Sequence, residues 1–380
     1  MSGVDGSGAR VVIAGGGVAG LETLLALHRA ATGLVELTLI APEPEFTYRP
    51  LAVLEPFVPG SMPTLSIAEV AAEHGVALVS DALLSVRTTE RVAITRDGAR
   101  VPYDELVVAV GAQPQSVVEG GIVLGSMAHV PALAKLVEDV RTGAVHRVAL
   151  VVPDGIAWTL PLYELALQLG AERGPDGRVP ELVVVTAEET PLAAFGAEVS
   201  ADVRDLLGGR GVTLYTAGTV DAFEEGAIWI EFEGAVDVDA VVALPRLHGP
   251  SIEGLPHDDD GFIPIDRVAR VAGVDHVYAA GDVCSFRFKQ GGLAAQEADV
   301  AAAHIAWKIG AGPRPAPLDL VLRGELLTGA APRFLRARLP RHGEEHDDGQ
   351  VSREPLWWPP AKIAARELGP YLAGRLPAHG

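Results

Sequence analysis

The chain has 380 residues, of which 48% are hydrophobic and 21% charged, and its formal net charge is -20. This composition is typical of a globular protein with two or three domains, and the negative charge opposes binding of nucleic acid or anionic lipid by the bulk of the protein. The single cysteine, Cys284, excludes an intramolecular disulfide and a zinc site built from cysteines. Residues 1–10 lack the apolar core of a signal peptide, and no apolar run reaches the roughly 18 residues that a membrane-spanning helix needs. We therefore expect a cytoplasmic protein.

The first patterned stretch predicts a strand, a glycine turn, a helix and a second strand. Residues 10–14 are apolar and β-branched, as in a buried parallel strand, and a second such run occupies 35–40. Between them Gly15, Gly17 and Gly20 have the G-x-G-x-x-G spacing of a dinucleotide-binding turn. Gly15 permits the tight turn, Gly17 lets a pyrophosphate approach the backbone, and Gly20 lets the helix pack closely. The N-terminus of the helix offers N–H groups and a positive dipole end to phosphates.

The chain up to residue 114 continues this first domain. Dinucleotide-binding units usually place an acidic residue at the end of the second strand, where it binds a ribose hydroxyl. Ala41 holds that position here, and Glu43, two residues further on, is the candidate for the ribose contact. Further patterns predict a helix at 64–72, a strand at 76–80, a meander at 83–101 and an apolar strand at 106–110 that ends at Gly111.

A second strand-first pattern interrupts the first. Its predicted elements are helices at 131–141, 162–170 and 199–207 and strands at 147–152, 182–186, 212–216, 227–232 and 240–244. A strand at 274–282 and a helix at 293–309 most economically rejoin the first domain. The predicted fold class is α/β, with two Rossmann-like domains, the second inserted in the first, and a C-terminal segment. The predicted domain boundaries are 1–114 with 262–312, then 115–261, then 313–380.

The C-terminal segment differs in composition and follows a proline- and glycine-rich linker at 310–318. An arginine cluster and an acidic loop lead to a tryptophan-containing stretch at 355–376. Tryptophans beside cations suit a bilayer interface, and they equally suit a helix docked on the protein or across a homodimer. We predict that Pro359-Pro360 starts a short helix and that Pro370 breaks or kinks it.

The acidic loop also contains histidines, but their spacing matches no rigid ligand set, so no metal site is predicted. These residues are His342, His346, Asp347 and Asp348.

Three motifs, in this order, resemble those of the two-dinucleotide-domain flavoprotein reductases, the pyridine nucleotide-disulfide oxidoreductase-like superfamily. They are the glycine turn at 15–20, Tyr103-Asp104 with the following LVVAVGAQP, and VYAAGDVCSF with Asp282. The resemblance implies bound FAD, with Asp282 near its ribityl and pyrophosphate groups. The cofactor-binding residues that it implies are Gly15, Gly17, Val18, Ala19, Gly20, Glu43, Arg49, Pro50, Ala82, Ala109, Gly111, Gly281, Asp282, Lys289 and Gly292.

Within that superfamily the chain most resembles sulfide:quinone reductases, flavocytochrome c sulfide dehydrogenases and type II NADH dehydrogenases. Residues 46–51, FTYRPL, are similar to their aromatic-x-x-Pro-Leu segment beside the flavin ring. Residues 289–296 resemble the segment that approaches the pyrimidine edge of the flavin. A cation or a helix N-terminus there would stabilise negative charge on a reduced flavin. The resemblance implies this role for Lys289, and the alternative is a surface lysine.

Two departures from these relatives limit what carries over. The first turn of the second domain, at 153–162, holds one glycine, a tryptophan and two prolines, which does not suit close approach of the pyrophosphate of NADH. In addition, WTLPLYE resembles a cysteine-containing segment of the sulfide enzymes, but Trp158 occupies the cysteine position. Sulfide oxidation needs two thiols near the flavin, and the chain has only Cys284, so cysteine-based sulfide chemistry is excluded.

These patterns together predict an FAD-dependent oxidoreductase that passes electrons from a small-molecule donor through flavin to an acceptor such as a quinone. The alternatives are an NAD(P)H dehydrogenase with an atypical nucleotide site and a non-catalytic flavin-binding partner or sensor. The predicted location is the cytoplasm, either free or peripheral on the inner face of the membrane through residues 355–376. Glu164 is the candidate proton carrier, with a structural ion pair or cap as the alternative. The candidate catalytic residues are Lys289, Glu164, Trp158 and Tyr48, and Pro50 and Tyr163 complete the candidate flavin or donor pocket.

Overall fold

The structure, a computed structural model, describes residues 8–231, 233–339 and 349–375. Its first elements follow the predicted order of a strand-turn-helix-strand unit, a helix, a strand and a meander. A pair of short antiparallel strands, which the sequence patterns did not predict, stands before the helix. These elements are β1 (Ala9–Ala14), α1 (Val18–Ala30), β2 (Val35–Ile40), β3 (Glu45–Thr47), β4 (Thr64–Ser66), α2 (Ile67–Glu73), β5 (Ala77–Val79), β6 (Leu83–Arg87), β7 (Val92–Thr95), β8 (Arg100–Pro102) and β9 (Glu105–Val108).

The second domain has its own parallel sheet. Its elements are β10 (Gln113–Gln115), β11 (Ile122–Val123), α3 (Val130–Thr142), β12 (Arg147–Val152), α4 (Leu160–Leu169), β13 (Glu181–Thr186), α5 (Ala197–Gly209), β14 (Thr213–Tyr215), β15 (Val220–Glu224), β16 (Ala227–Ile230), β17 (Gly234–Asp237), β18 (Ala240–Ala243) and β19 (Arg246–His248). The parallel sheet has the order β11-β18-β12-β13-β14, and β15, β16 and β17 form a separate antiparallel sheet. β10 and β19 pair antiparallel where the chain enters and leaves this domain.

The chain then returns to the first domain, as its sequence predicts. β20 (Val277–Ala279) pairs with β9 and completes a parallel sheet of the order β20-β9-β1-β2-β5. α6 (Gly291–Lys308) packs against α1, largely through alanines. The second domain is therefore inserted in the first, and the residue boundaries at 114, 261 and 312 stay predictions.

Two predicted helices differ from the structure at their ends. Residues 64–66 form β4, and α2 begins only at Ile67 because the Ser66 hydroxyl caps it by accepting the Glu69 N–H at 3.2 Å. The helix predicted to stop at residue 207 continues through Gly208 and Gly209. Glycine weakens a helix without forbidding it, so these two residues did not end α5.

The C-terminal segment forms a small antiparallel sheet that the sequence patterns did not predict. Its strands are β21 (Val321–Leu326), β22 (Arg333–Arg338) and β23 (Gln350–Ser352), and they pair in this order. Leu322, Leu326 and Leu335 are buried in the same core as the side chains of α4 and α5. The sheet therefore packs on the second domain. Arg333, Arg336 and Arg338 of the arginine cluster lie in β22, and its fourth member, Arg341, lies outside the described residues.

The prediction that Pro359-Pro360 starts a helix is wrong. Helix α7 (Leu368–Ala373) begins well after these prolines, and Pro370 lies in its first turn, where a missing N–H breaks no intrahelical bond. Ile363, Leu368 and Leu372 are buried in the core of the first domain. Most apolar side chains of this stretch therefore dock on the protein itself.

The candidate loop at 342–348 lies outside the described residues. Within the residues that the structure describes, no group of histidine, cysteine, aspartate and glutamate side chains could hold a metal ion. No helix of this described part is long and apolar enough to span a bilayer.

Candidate functional site

A large cleft lies between the two Rossmann-like domains and reaches the C-terminal segment. Its volume is about 1460 Å³. This exceeds the roughly 300–1,000 Å³ of pockets for drug-sized ligands and suits a dinucleotide. The residues that follow β1, β9 and β20 line it, and this carboxyl edge of the strands is where open α/β sheets bind ligands.

The glycine turn after β1 forms one wall of the cleft. Gly15 has a φ of +119°, and a Cβ there would lie 2.1 Å from the carbonyl oxygen of Ala109. A Cβ at Gly20 would lie 1.8 Å from the carbonyl oxygen of Gly15, so packing requires both glycines. Gly17 differs, because a Cβ there would meet nothing within 4 Å. Gly17 is also the N-cap of α1, and no side chain caps the helix, so its first N–H groups face an open space that suits a phosphate.

Most of the predicted cofactor residues line this cleft together. Gly20 and Gly292 do not, because they are buried in α1 and α6. The predicted residues that line it are Gly15, Gly17, Val18, Ala19, Glu43, Arg49, Pro50, Ala82, Ala109, Gly111, Gly281, Asp282 and Lys289.

At the end of β2 the usual acidic position is apolar, as the sequence indicated. Ala41 is 1% exposed and packs in the core of the first domain. Glu43 is exposed and lines the cleft. A carboxylate at this edge can accept hydrogen bonds from hydroxyl groups, so Glu43 stays the candidate for the ribose contact.

Two cationic side chains, Lys289 and Arg49, lie near the Asp282 carboxyl group. Burial raises the pKa of Asp282, and the charges of Lys289 and Arg49 oppose this shift. Burial lowers the pKa of Lys289, and Asp282 opposes that shift. The Lys289 ammonium donates to the backbone carbonyl of Cys284 and lies 3.6 Å from the centroid of the Phe262 ring. Lys289 is therefore a half-buried, fixed cation of the cleft wall and not a free surface lysine.

The turn between β12 and α4 gives the second domain a different surface. Pro161 lies in the first turn of α4 and removes one of the N–H groups that would bind a phosphate. Trp158 lines the cleft, and its ring packs against Phe195 with centroids 6.1 Å apart. A Cβ on Gly324 would lie 3.4 Å from the Trp158 ring, so β21 supports it from behind. An aromatic wall therefore stands where dinucleotide-binding domains usually present backbone N–H groups.

The acidic residue after β13 is turned into the second domain. The Glu188 carboxylate accepts hydrogen bonds from the Tyr163 hydroxyl at 2.7 Å and from the Ala193 N–H at 3.3 Å. Burial raises the pKa of Glu188, and these hydrogen bonds oppose the shift. Tyr163, a candidate pocket residue, is thus bound to Glu188 and does not line the cleft.

A buried ion pair lies on the cleft wall between the second domain and the C-terminal segment. Glu164 on α4 pairs with the Lys362 ammonium and also accepts the Leu327 N–H at 2.8 Å. The two charged side chains are 1% and 7% exposed. Burial raises the pKa of Glu164, and the charge of Lys362 opposes the shift. This pair brings a carboxyl group and an ammonium group together at one point of the cleft.

Sequence reasoning did not include Lys362 in the site. It interpreted Lys362 as one of the cations beside a bilayer-type helix, because the neighbouring tryptophans dominate the local pattern. Lys362 and Glu164 are 198 residues apart, and no local signal links them. The one available signal was that a glutamate buried at the pocket needs a cationic partner, which Lys362 could supply.

Tyr48 is held away from the cleft. It is 6% exposed, its hydroxyl accepts the Ile363 N–H at 3.0 Å, and burial raises its pKa to about 12. Its neighbours Thr47, Arg49 and Pro50 line the cleft. The structure therefore connects Tyr48 with the C-terminal segment and not with the predicted flavin or donor pocket.

Cys284 lies behind the cleft wall, next to a buried glutamate. Burial raises the pKa of the Cys284 thiol well above its ordinary value. The neighbouring Glu297 carboxylate accepts the Gly281 N–H at 2.7 Å, and burial raises the pKa of Glu297 to about 7. Since the thiolate is the reactive form, this buried thiol is unsuited to nucleophilic chemistry.

The fold and the glycine-lined cleft define a flavin-dependent oxidoreductase with two Rossmann-like domains. The family model for pyridine nucleotide-disulphide oxidoreductases matches residues 9–310. The chain belongs to this family, which confirms the predicted superfamily and favours the enzyme interpretation over a non-catalytic sensor.

Related proteins and structures agree with this assignment. The chain is 25% identical over 335 residues to the demethylphylloquinone reductase NdbB of Synechocystis sp., with 81% of each chain covered. It is also 25% identical over 297 residues to an NADH dehydrogenase-like protein of Mycobacterium tuberculosis, with 73% of each covered. The structure of the sulfide:quinone oxidoreductase from Aquifex aeolicus matches with a TM-score of 0.79 at 20% identity, covering 91% of this chain and 87% of that one. This last likeness concerns the fold.

Proposed function

We propose that the protein is an FAD-dependent oxidoreductase that transfers electrons from a reductant through the flavin to a quinone. One observation carries this proposal. A single cleft joins a glycine turn that is open to an anion at Gly17 to the buried ion pair of Glu164 and Lys362. The first end suits the pyrophosphate of a dinucleotide, and the second suits an acceptor that takes up protons.

The first domain supplies the residues that would hold FAD. The open space at Gly17 suits the pyrophosphate, Glu43 suits a ribose, and Asp282 suits the ribityl chain. Lys289 and the N-terminus of α6 place positive charge at the same edge of the cleft. When bound, the flavin supplies the electron-transfer chemistry, while the protein orients it and sets the surrounding charge.

A quinone is the proposed acceptor because its reduction to a quinol consumes two electrons and two protons. Lys362 can donate a proton to a quinone oxygen on which negative charge develops, and Glu164 holds the ammonium in place. The relative described as a demethylphylloquinone reductase supports an acceptor of this class.

The proposed route does not use cysteine. Sulfur transfer at a flavin needs two thiols that act together, and the sequence contains only Cys284. The Cys284 side chain is fully buried, and its pKa is raised. A route through the flavin and the Glu164–Lys362 pair needs no thiol.

The donor has two candidates, a small non-nucleotide reductant and NAD(P)H bound in an altered manner. Pro161 in the first turn of α4, and Glu188 bound to Tyr163, weigh against the usual NADH mode. The NADH dehydrogenase-like relative keeps NAD(P)H as the alternative. Trp158 offers an aromatic face on which a planar reductant or a nicotinamide could stack.

Anaerobic half-reactions test this proposal. The flavin-loaded protein is mixed with NADH, NADPH or dithiothreitol, and the visible absorbance of oxidised flavin is followed. Protein reduced by dithionite is then mixed with a short-chain naphthoquinone. We expect rapid reoxidation by the quinone and slow reduction by both nucleotides. If the quinone reoxidises the flavin no faster than quinone-free buffer does, a quinone is not the acceptor. Fast bleaching of the flavin by NADH favours the NAD(P)H alternative. A protein that cannot be loaded with FAD contradicts the whole proposal.

Neutral variants of the ion pair test the proton-transfer step. E164Q and K362M keep the side-chain volumes and remove one charge each. We expect reoxidation by naphthoquinone to slow by about 10²-fold, the lower end of what general acid catalysis contributes, while reduction by dithionite stays unchanged. Stopped-flow absorbance measures both steps.

A remote ion pair of the same chemistry is the matched control. Lys308 on α6 pairs with the buried carboxylate of Glu105, at the opposite end of the first-domain strands from the cleft. K308M should leave quinone reoxidation unchanged. If K308M slows reoxidation as much as K362M does, the effect is a general loss of stability and not a role of Lys362 at the acceptor.

Contact with a membrane and formation of a homodimer stay proposals. Trp358 is 86% exposed and is the side chain of the tryptophan-containing stretch that a bilayer or a second chain would meet first. Sedimentation with neutral vesicles tests the membrane contact, and sedimentation equilibrium tests the homodimer.

A further inference from the structure

The C-terminal residues that carry Lys362 are fastened to the rest of the protein at three points. Lys362 pairs with Glu164 on the second domain. The next residue, Ile363, donates its N–H to the Tyr48 hydroxyl on the first domain at 3.0 Å. A few residues further on, the backbone meets Glu22 of α1. We call residues 361–368 the strap, because they connect both domains along the cleft.

Glu22 makes the largest set of polar contacts with the strap. One carboxylate oxygen accepts the N–H groups of Arg366 and Glu367 at 2.9 Å each. The other oxygen accepts the Leu368 N–H at 2.6 Å. Glu22 is fully buried. Burial raises the pKa of Glu22, and the three backbone hydrogen bonds oppose this shift by favouring the carboxylate. Hydrogen bonds to a carboxylate are roughly twice as strong as neutral ones, so these bonds hold the strap.

The position of Glu22 along α1 gives it a link to the cleft. Glu22 lies one helical turn after Val18 and Ala19, which line the cleft at the start of the helix. Ile363 packs against the first residue of α6, since a Cβ on Gly291 would lie 3.2 Å from its side chain. The strap therefore rests on the two helices whose N-termini face the candidate cofactor site.

Without the Glu22 anchor, the pair with Glu164 and the docking of Ile363 remain as restraints on Lys362. Three residues separate Ile363 from Glu367, and an extended chain covers up to about 3.5 Å per residue, so without the anchor residues 364–367 can shift and loosen the docking of Ile363 beside Lys362. A displacement of about 1 Å at a reacting group can slow a reaction by as much as ~10²-fold. The Glu22 carboxylate, which does not line the cleft, thus contributes to the placement of Lys362 beside Glu164.

We propose that Glu22 is a positioning residue for the acceptor reaction: its carboxylate anchors the strap through three backbone N–H groups and so holds Lys362 beside Glu164 at the cleft. This inference rests on the proposed function, in which Lys362 acts on the acceptor. It predicts a kinetic effect from a residue that contacts neither the candidate cofactor site nor the acceptor end of the cleft.

A second carboxylate contact, made with helix α7 at the end of the strap, offers a control. Glu73 on α2 accepts the Tyr371 hydroxyl at 2.8 Å and pairs with Arg375 at 2.5 Å. Glu73 therefore holds α7 through solvent-exposed contacts with residues that follow the strap in the chain. E73Q removes a carboxylate contact with the C-terminal helix without touching the anchor of Lys362.

The experiment compares E22Q, E73Q and K362M in the full flavin-loaded protein. Hydrogen exchange of the amides at 366–368 reports on the strap, and stopped-flow reoxidation by a short-chain naphthoquinone reports on Lys362. A glutamine at position 22 places an NH2 group against at least one N–H donor. We expect E22Q to speed amide exchange in the strap and to slow quinone reoxidation by about three- to tenfold, with reduction by dithionite unchanged. E73Q should change neither the strap nor reoxidation.

The outcomes separate the two proposals. If K362M slows reoxidation and E22Q does not, even though E22Q speeds amide exchange, Glu22 is only structural and the inference is wrong. If K362M itself has no effect, the acceptor role of Lys362 fails, and with it the proposed function at this pair. If E22Q does not fold, Y48F is the second variant, because it removes the neighbouring anchor at Ile363. Y48F that is reoxidised as fast as the unaltered protein would overturn the positioning of Lys362 by the strap.

Discussion

At the scale of single residues, the three glycines of the first turn have different roles. Gly15 and Gly20 are required by packing, since a Cβ at either position would overlap a backbone carbonyl oxygen. Gly17 is required by nothing in the protein itself, because a Cβ there would meet open space. A glycine with no packing reason, on a cleft wall, is best explained by a ligand that approaches the backbone.

This difference predicts opposite behaviour of two alanine variants. G20A should destabilise the fold by several kcal/mol, because the new methyl group meets backbone that cannot move away cheaply. G17A should keep the stability of the cofactor-free protein within about 0.5 kcal/mol but lose FAD on gel filtration. Thermal unfolding of the cofactor-free protein and the flavin-to-protein ratio measure the two effects. Retention of FAD by G17A would contradict pyrophosphate binding at this turn.

Asp299 on α6 gives a prediction for pH dependence. Burial and the charge of the neighbouring Glu22 raise the pKa of Asp299 to about 8. Arg366 opposes the shift and Glu367 adds to it. Because the folded protein keeps a proton that the unfolded chain releases near pH 4, stability contributed by this group falls as the pH rises from about 4 to about 8.

D299N should remove this pH dependence. Asparagine can donate a hydrogen bond, but it cannot lose a proton. Urea unfolding at several pH values should show the unaltered protein losing stability relative to D299N by up to about 1.4 kcal/mol per pH unit across this window. Parallel stability curves for the two proteins would mean that Asp299 is already ionised in the folded state.

At the scale of elements, the C-terminal segment is divided between the protein core and the solvent. Ile363 is 2% exposed in the first-domain core, whereas Trp358 is 86% exposed. The Trp357 indole packs against Phe334 of β22 and donates its N–H to the Ala361 carbonyl at 3.1 Å. Two adjacent tryptophans therefore have different surroundings, which sequence composition alone does not reveal.

The variants I363A and W358A should separate docking on the protein from contact with a membrane. I363A should lower the free energy of unfolding by about 2–5 kcal/mol, because it leaves a cavity in the core. W358A should change it by less than about 0.5 kcal/mol but weaken sedimentation with neutral vesicles. Urea unfolding and vesicle sedimentation measure these effects. If the intact chain does not sediment with vesicles at all, membrane contact through this segment is wrong.

At the scale of the whole molecule, the two Rossmann-like domains are unequal. The first keeps an open anion site at the start of α1, whereas the second has Pro161 in the first turn of α4 and an acidic residue bound to Tyr163. The second domain also buries its α4 side chains against the C-terminal sheet. We infer that the molecule is built around one tightly held dinucleotide.

This asymmetry predicts which nucleotide stabilises the fold. FAD at a hundredfold excess over its Kd should add about 2.7 kcal/mol to the stability of the cofactor-free protein and raise its Tm, whereas NADH and NADPH at millimolar concentration should not. Thermal unfolding monitored by circular dichroism avoids interference from flavin fluorescence. A rise in Tm with NADH, additional to that with FAD, would mean that the second domain binds a nucleotide after all.

Short stretches of the chain were enough to predict part of the architecture. The turn at Gly15, Gly17 and Gly20, the ends of the parallel strands and the insertion of one domain in the other all follow from local periodicity and glycine spacing. Most predicted cofactor residues share one cleft because the carboxyl ends of neighbouring parallel strands lie at one edge of the sheet.

The pairing of Lys362 with Glu164 and the docking of the C-terminal segment become visible only in three dimensions. Lys362 reaches Glu164 across 198 residues, and the Glu22 carboxylate meets the backbone N–H of Leu368 across 346. No periodicity connects residues so far apart, and the same apolar pattern at 355–376 suits a bilayer or a protein core. The packing of α1, α4 and α6 decides whether each side chain of this stretch is buried or exposed. That packing places residues 361–368 along the cleft as the strap, although the pattern of this stretch suited a membrane surface and a protein core equally.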